Sequence, residues 1–314
     1  MNRHAGNAPR AGLITLLLIV LSISSPVQAE PPGNRFFLMG DGKIHIRSDR
    51  TGDEATVTLV TADGRLNDDG FTRIDAVFEF PTRDKGEHIS PRLLFMLDYF
   101  SDLVAPGRMI TLESGYRSPE YNRKLSNQGG IVAKTSLHMD GMALDFSIQG
   151  VDGKTLWDLI RSRDCCGVGH YGGKTIHLDS ARPRFWEADT AGVTSGDSDY
   201  NRRIHLSTDY DRYRAGDRVR LSFSSVSDFG FGVAPSVAFV NDAEGLHAVQ
   251  TARSESGEAE TDCRMIENRK ASRFLYVIIP SELPAGRYRI RVNFCRQPFP
   301  QMPANRISNE IEIL

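Results

Sequence analysis

Two short stretches of the chain concentrate residues that bind metals and move protons. The first is Ser136-Leu137-His138-Met139-Asp140-Gly141-Met142-Ala143-Leu144-Asp145-Phe146; the second, about thirty residues on, is Thr175-Ile176-His177-Leu178-Asp179. Side chains alternate along a strand, so Ala143, Asp145 and Ser147 share one face while Met142, Leu144 and Phe146 share the other. Thr175, His177 and Asp179 likewise share a face, opposite Ile176 and Leu178. If the two strands pair, Asp145 and His177 stand across from each other with Cβ atoms about 5 Å apart, and His138 returns from the loop before the first strand. Two imidazoles and one carboxylate around a common point, with a fourth position open to water, form the ligand pattern of a catalytic rather than a structural zinc site. His138, Asp145 and His177 are the predicted ligands of a Zn2+ ion.

The elements that must position these residues are readable around them. Ser90-Pro91 supplies an N-cap and a first-turn proline, and Leu93, Leu94, Leu97, Phe100, Leu103 and Val104 recur at helical spacing until Pro106-Gly107 stops them. Met109 to Leu112 is strand-like, Ser118-Pro119 opens a helix, Met142 to Ile148 alternates as a strand, Thr155 to Ile160 is helical, and Thr175 to Asp179 alternates again. This mixture predicts an α+β catalytic domain over 89–188, a small sheet with flanking helices. Residues 30–88 read as strands and tight turns: Phe36 to Met39, a Gly40-Asp41-Gly42 turn and Lys43 to Ile46 predict a hairpin, and Thr56 to Val60 begins another. They are expected to form a small β appendage ahead of the catalytic domain. Residues 189–199 crowd Gly, Ser, Thr and Asp without apolar period and read as a linker. Short strands with turns over 200–314 then predict a β-sandwich resembling immunoglobulin-like domains, with no catalytic constellation and no residue pattern that names its partner.

Composition bounds the partners and the compartment. Lys and Arg total 38 against 40 for Asp and Glu, and the basic residues are scattered, so a nucleic-acid partner is not expected. Arg3 and Arg10, the apolar run Leu13 to Ile23 and the small-residue site Val27-Gln28-Ala29 read as a signal peptide over 1–29, cleaved near Ala29. The run is about eleven residues where a bilayer requires roughly 18 or more, so no transmembrane segment is expected in the mature chain. A periplasmic or secreted location follows, and oxidising surroundings change how the cysteines are read. Cys263 and Cys295 both fall in the predicted β domain and are expected to form a disulfide. The adjacent Cys165 and Cys166 are left open between a vicinal bridge, free thiols and other pairings.

The run from Glu113 to Trp186 carries a resemblance. Glu113-Ser114-Gly115-Tyr116-Arg117-Ser118-Pro119, Ser136 to Asp145, and Gly167-Val168-Gly169 through His177-Leu178-Asp179 to Phe185-Trp186 resemble the zinc D-Ala-D-Ala carboxypeptidases and, more closely, the murein endopeptidase K group of the LAS-type metallopeptidases. The resemblance implies a zinc peptidase acting on peptidoglycan stem peptides or cross-links, with His138, Asp145 and His177 as ligands. It implies that Arg117 polarises the scissile carbonyl, which suits a guanidinium beside a developing oxyanion. Tyr116 and Ser136 are candidates for hydrogen bonds to substrate or to the ligands.

The sequence departs from that pattern at one place. Many relatives of the carboxypeptidase type carry Glu or His shortly before the last ligand as general base, and here Lys174 and Thr175 stand there. Asp179, on the same strand face as His177, and His170, seven residues before it, are the two candidates for that role. The missing upstream base also supports a competing reading, a catalytically inactive cell-wall binding or regulatory protein on the same fold.

Overall fold

The computed structural model describes, besides Met1, residues 35–81, 87–128, 133–188, 199–241, 245–251, 253–254, 262–273 and 275–314. The predicted signal peptide and nearly all of the predicted linker lie outside the described residues. Among the described residues no helix is long and apolar enough to cross a membrane.

The first half contains β1 (Lys43–Ser48), β2 (Glu54–Thr58), α1 (Asp68–Phe78), α2 (Pro91–Val104), β3 (Ile110–Ser114), α3 (Pro119–Asn127), β4 (Ala143–Ile148), α4 (Gly153–Ser162), β5 (Gly167–His170), β6 (Ile176–Asp179) and β7 (Arg184–Glu187). The strands form one seven-stranded sheet in the order β2-β1-β3-β4-β6-β5-β7. Alternation divides its faces: Leu144, Phe146, Ile176 and Leu178 join one buried cluster with Leu93, Leu94, Leu97 and Phe100 of α2 and Trp157 and Ile160 of α4. The apolar face anchors the sheet, and the opposite face is left to polar groups. The start of α2 follows its signal, with the Ser90 hydroxyl accepting the Leu93 N–H at 3.4 Å and Pro91 in the first turn.

The segment before α2 differs from the strand-and-turn expectation. β1 pairs with β2 and, in parallel, with β3, so the β1–β2 hairpin is the edge of the seven-stranded sheet itself. Phe36 to Met39 forms no strand; Phe36 stacks on Phe95 of α2 at 4.6 Å between ring centroids, and the Gly40 and Gly42 amides donate to Asp98 at 3.0 and 2.9 Å. Helix α1 lies in a segment read from the sequence as strands and tight turns alone. Its Asn67 cap accepts the Gly70 N–H, Asp68 and Asp69 favour the first turn, and Phe71, Ile74, Val77 and Phe78 fall on one buried stripe.

Beyond residue 204 the chain is almost entirely β. One four-stranded and one larger sheet enclose a single apolar cluster that includes Leu206, Val219, Leu221, Phe223, Phe231, Val233, Phe239, Val277, Ile290 and Val292. The protein is therefore α+β, with several sheets and few helices. Cys263 and Cys295 are bridged, 32 residues apart in sequence, and Cys165 is bridged to Cys166. Closing a loop of that length contributes about 2–4 kcal/mol.

The two halves are joined by buried polar contacts. Arg92 of α2 donates to Asp211 at 2.9 and 2.6 Å and to the carbonyls of Thr208 and Tyr210, each at 2.9 Å. Arg35 pairs with Asp217 at 2.6 Å, and the Phe37 N–H donates to Asp211 at 2.9 Å. A buried guanidinium making these four hydrogen bonds fixes orientation as well as contact, because each unmet bond would leave a desolvated donor.

Candidate metal centre

β4 and β6 pair antiparallel with Asp145 opposite His177, the register that alternation predicts. His138 arrives from a short 3-10 turn, Leu137–Asp140, that runs directly into β4. Ser136 caps this turn, its hydroxyl accepting the His138 N–H at 3.4 Å, and Gly141 ends it in the left-handed conformation at φ 65°. The three side chains are buried, at 3% exposure for His138, 8% for Asp145 and 6% for His177. Their donor atoms lie within 4.8 Å of one another.

The hydrogen bonds sort which atom of each ring faces inward. His138 Nδ1 donates to the Gly115 carbonyl at 2.8 Å, which leaves Nε2 toward Asp145, 3.5 Å from its Oδ1. His177 Nδ1 lies 2.9 Å from the same Oδ1, and its Nε2 lies 2.9 Å from Asp179 Oδ2. Each imidazole thus has one nitrogen fixed by an outer acceptor and the other turned to a shared centre. Burial lowers the affinity of the His138 ring for a proton. Burial also opposes ionisation of Asp145, yet the two imidazoles outweigh it and hold its carboxyl well below the usual range. A neutral imidazole and an ionised carboxylate are the states in which these groups bind a metal. Two ring nitrogens and a carboxylate oxygen in this arrangement fit Zn2+.

Arg117 is fastened to the same centre. Its guanidinium donates to Asp145 Oδ2 at 2.7 Å and to the Ser114 hydroxyl at 2.9 Å, while its backbone N–H donates to the His138 carbonyl at 3.2 Å. A β-bulge makes this possible: Leu112 pairs with Phe146 and Ser114 with Asp145, so Glu113 is an extra residue that re-aims the chain into Gly115-Tyr116-Arg117. The Tyr116 ring lies edge-on to Phe80 at 5.2 Å between centroids.

Residues 41–186 match the family model of the peptidoglycan L,D-endopeptidase MepK. The curated proteins of that name from Escherichia coli K12, Escherichia coli O157:H7 and Shigella flexneri are each 28% identical to this chain over 137 residues, 43% of this chain and 75% of the relative. Over these residues the chain is similar to the LAS-type murein endopeptidase K group. Its family match stops short of the second, β-rich half, which begins after residue 199.

Within this family frame the two base candidates sit elsewhere than expected. Asp179 is 0% exposed and stands behind His177, on the ring nitrogen that points away from Asp145. Its oxygens accept from Arg184 at 3.0 and 2.6 Å and from the Ala181 N–H at 3.1 Å. Burial works against its charge, but Arg184 and His177 bring its carboxyl down to about 2. The Asp179 carboxylate is thus engaged by His177, Arg184 and the Ala181 N–H. His170 lies on the other face of the sheet. It pairs with Ile176, and Gly169 pairs with His177, so alternation turns the His170 ring toward Trp157 of α4, 6.4 Å between centroids. That placement puts neither Asp179 nor His170 between His138 and Asp145.

Two residues that pattern alone did not single out border the centre. The Trp186 ring lies 5.1 Å from the His177 ring, and it occupies the space where a side chain on Gly169 would fall. Gly167 leaves corresponding room for the Asp179 carboxylate. Tyr171 hydrogen-bonds Trp186 and keeps 45% of its surface exposed, while partial desolvation of its phenol, reinforced by the nearby Asp145 carboxylate, keeps it above the ordinary tyrosine range.

Proposed function

We propose that the protein is a zinc-dependent peptidoglycan endopeptidase that acts outside the cytoplasm, on an L,D-peptide bond of the kind named for its relatives. The observation that carries this reading is the convergence of His138 Nε2, Asp145 and His177 Nδ1 beside the Arg117 guanidinium. Zinc held there would supply Lewis-acid polarisation of a carbonyl and a lowered pKa for water. The chain supplies the rest. The Gly115 carbonyl and Asp179 fix the orientation of the two imidazoles, and Arg117 offers N–H donors to the negative charge that develops on the scissile carbonyl oxygen. Tyr171, protonated at neutral pH, adds an O–H donor on the same side, and Trp186 walls the site beside His177. Ser136 serves as the cap of the ligand-bearing turn.

The reading is tested by incubating the mature protein with defined cross-linked muropeptides, with and without a chelator, and weighing the products. Chelator-sensitive conversion of dimers to monomers is expected. Stoichiometric zinc with no mass change would favour the inactive wall-binding reading, which the displacement of both base candidates from the site supports.

The role assigned to Asp179 has its own expected result. Asp179→Asn keeps the size of the side chain but loses the charge that orients His177 and pairs with Arg184. Zinc affinity should fall about 10–100-fold, read by competition with a chelator, and hydrolysis should recover at saturating metal. Unchanged affinity with lost turnover would return Asp179 to the role of base.

A further inference from the structure

The turn that carries His138 is held from outside the family domain. Asp140, two residues after the ligand and buried, accepts the Ser225 N–H at 2.9 Å through Oδ2 and the Arg269 guanidinium through Oδ1. Both partners belong to the β-rich second half, beyond the residues that match the family model. Ser225 is a non-glycine residue with φ 54°, the left-handed region, directly after the strand Arg218–Ser224. That conformation is disfavoured for a residue with a Cβ and persists where surrounding contacts over-determine it. Arg269 is equally fixed by its own sheet. Its carbonyl accepts from the Ser272 hydroxyl at 2.7 Å, the same hydroxyl lies 3.1 Å from the Phe223 carbonyl, and Ser272 is buried. On the opposite side the turn is pinned to α2, the Ser90 N–H donating to the Gly141 carbonyl at 2.9 Å.

We infer that the second half is a positioning element for the metal centre, with Arg269 and Ser225 clamping Asp140 so that His138 is presented in its ligating orientation. The inference deepens the proposed zinc site and rests on His138 being a ligand. A 3-10 turn of four residues has few internal bonds of its own, so its geometry follows its anchors. Within the first half it is held by the Ser90 amide on the Gly141 carbonyl, the Arg117 N–H on the His138 carbonyl and the Gly115 carbonyl on the His138 ring; its remaining anchor is a buried carboxylate whose charge, among the described residues, is met by the second half. Removing Arg269 leaves that carboxylate with one backbone N–H, and a buried charge short of its partner relaxes toward water. His138 moves with it. Arg273 provides an internal contrast, since it comes from the same segment but pairs with Glu87 at 3.8 Å and makes no bond to the turn.

The test measures zinc binding by chelator competition, and the visible spectrum of the cobalt-substituted protein, for wild type, Arg269→Ala, Arg269→Lys and Arg273→Ala. Arg269→Ala is expected to bind zinc about tenfold or more weaker with an altered cobalt spectrum. Arg269→Lys should recover part of both, and Arg273→Ala should match wild type. Should Arg269→Ala fail to fold, Asp140→Asn, which keeps an acceptor for Ser225 and removes the charge pair, is measured in the same way. Zinc affinity within twofold of wild type and an unchanged spectrum overturn the inference. Failure of the wild-type protein to bind stoichiometric zinc would instead overturn the reading of the site on which it rests.

Discussion

His138→Ala and His177→Ala should each lose stoichiometric zinc and reduce hydrolysis by about 10³-fold or more. The size follows from what the ion supplies: Lewis-acid stabilisation of several kcal/mol, with each 1.36 kcal/mol worth a factor of ten. Neither ring can be replaced by a neighbour. His170 is on the far face of the sheet, and Asp179 is held by Arg184, His177 and Ala181. The fold should survive both changes, because the ligands lie on the sheet face opposite the cluster of Leu144, Phe146, Ile176 and Leu178. In His177→Ala the Asp145 carboxylate still has Arg117, and Asp179 still has Arg184, so no buried charge is left alone. Metal analysis of the purified variants, with thermal unfolding alongside, separates loss of ligand from loss of fold. Full zinc content in either variant would remove that residue from the ligand set.

Legibility of this chain from its sequence followed how locally each feature is encoded. The Asp145–His177 register is local information: two alternating runs, each with one apolar face, can pair in one way without exposing that face. Helix α2 announces itself with Ser90-Pro91 and Pro106-Gly107. Helix α1 does not, since Asn67-Asp68-Asp69-Gly70 is as good a turn as a helix start, and only the burial of Phe71, Ile74, Val77 and Phe78 against the sheet decides for helix. The faces of β5 were hidden for a different reason. Gly167 and Gly169 carry no side chains to reveal alternation, and they are glycine because the Asp179 carboxylate and the Trp186 ring fill that space. His170 therefore could not be assigned a face until its partner strand was known. The environment of Asp179 depends on Arg184 folding back from the next strand, and that of Asp140 on Arg269, 129 residues away. Such pairings leave no periodic trace, so the His138, Asp145 and His177 cluster was readable while the groups that surround it were not.

Arg117 should separate binding of the metal from use of it. Its guanidinium is held by Ser114 and Asp145, a geometry that commits two of its five N–H donors and leaves the planar fork fixed beside the metal-ligand set. A donor pre-aligned in this way is worth most when negative charge appears on the carbonyl oxygen, since no reorganisation is then required. Arg117→Ala is accordingly expected to lower kcat about 10²–10³-fold, the range for loss of one oxyanion donor, with KM changed far less. Some metal affinity should be lost as well, because Asp145 Oδ2 loses its partner, so the comparison is made at saturating zinc. Arg117→Lys should recover only a minor part of kcat: an ammonium is a point charge on a flexible stem and cannot hold Ser114 and Asp145 together while presenting a further N–H to substrate. If Arg117→Ala hydrolyses muropeptides within about threefold of the wild-type kcat at saturating zinc, then the guanidinium only braces Asp145, and the charge on the carbonyl oxygen must be met by other donors, of which the Tyr171 O–H is the next to test.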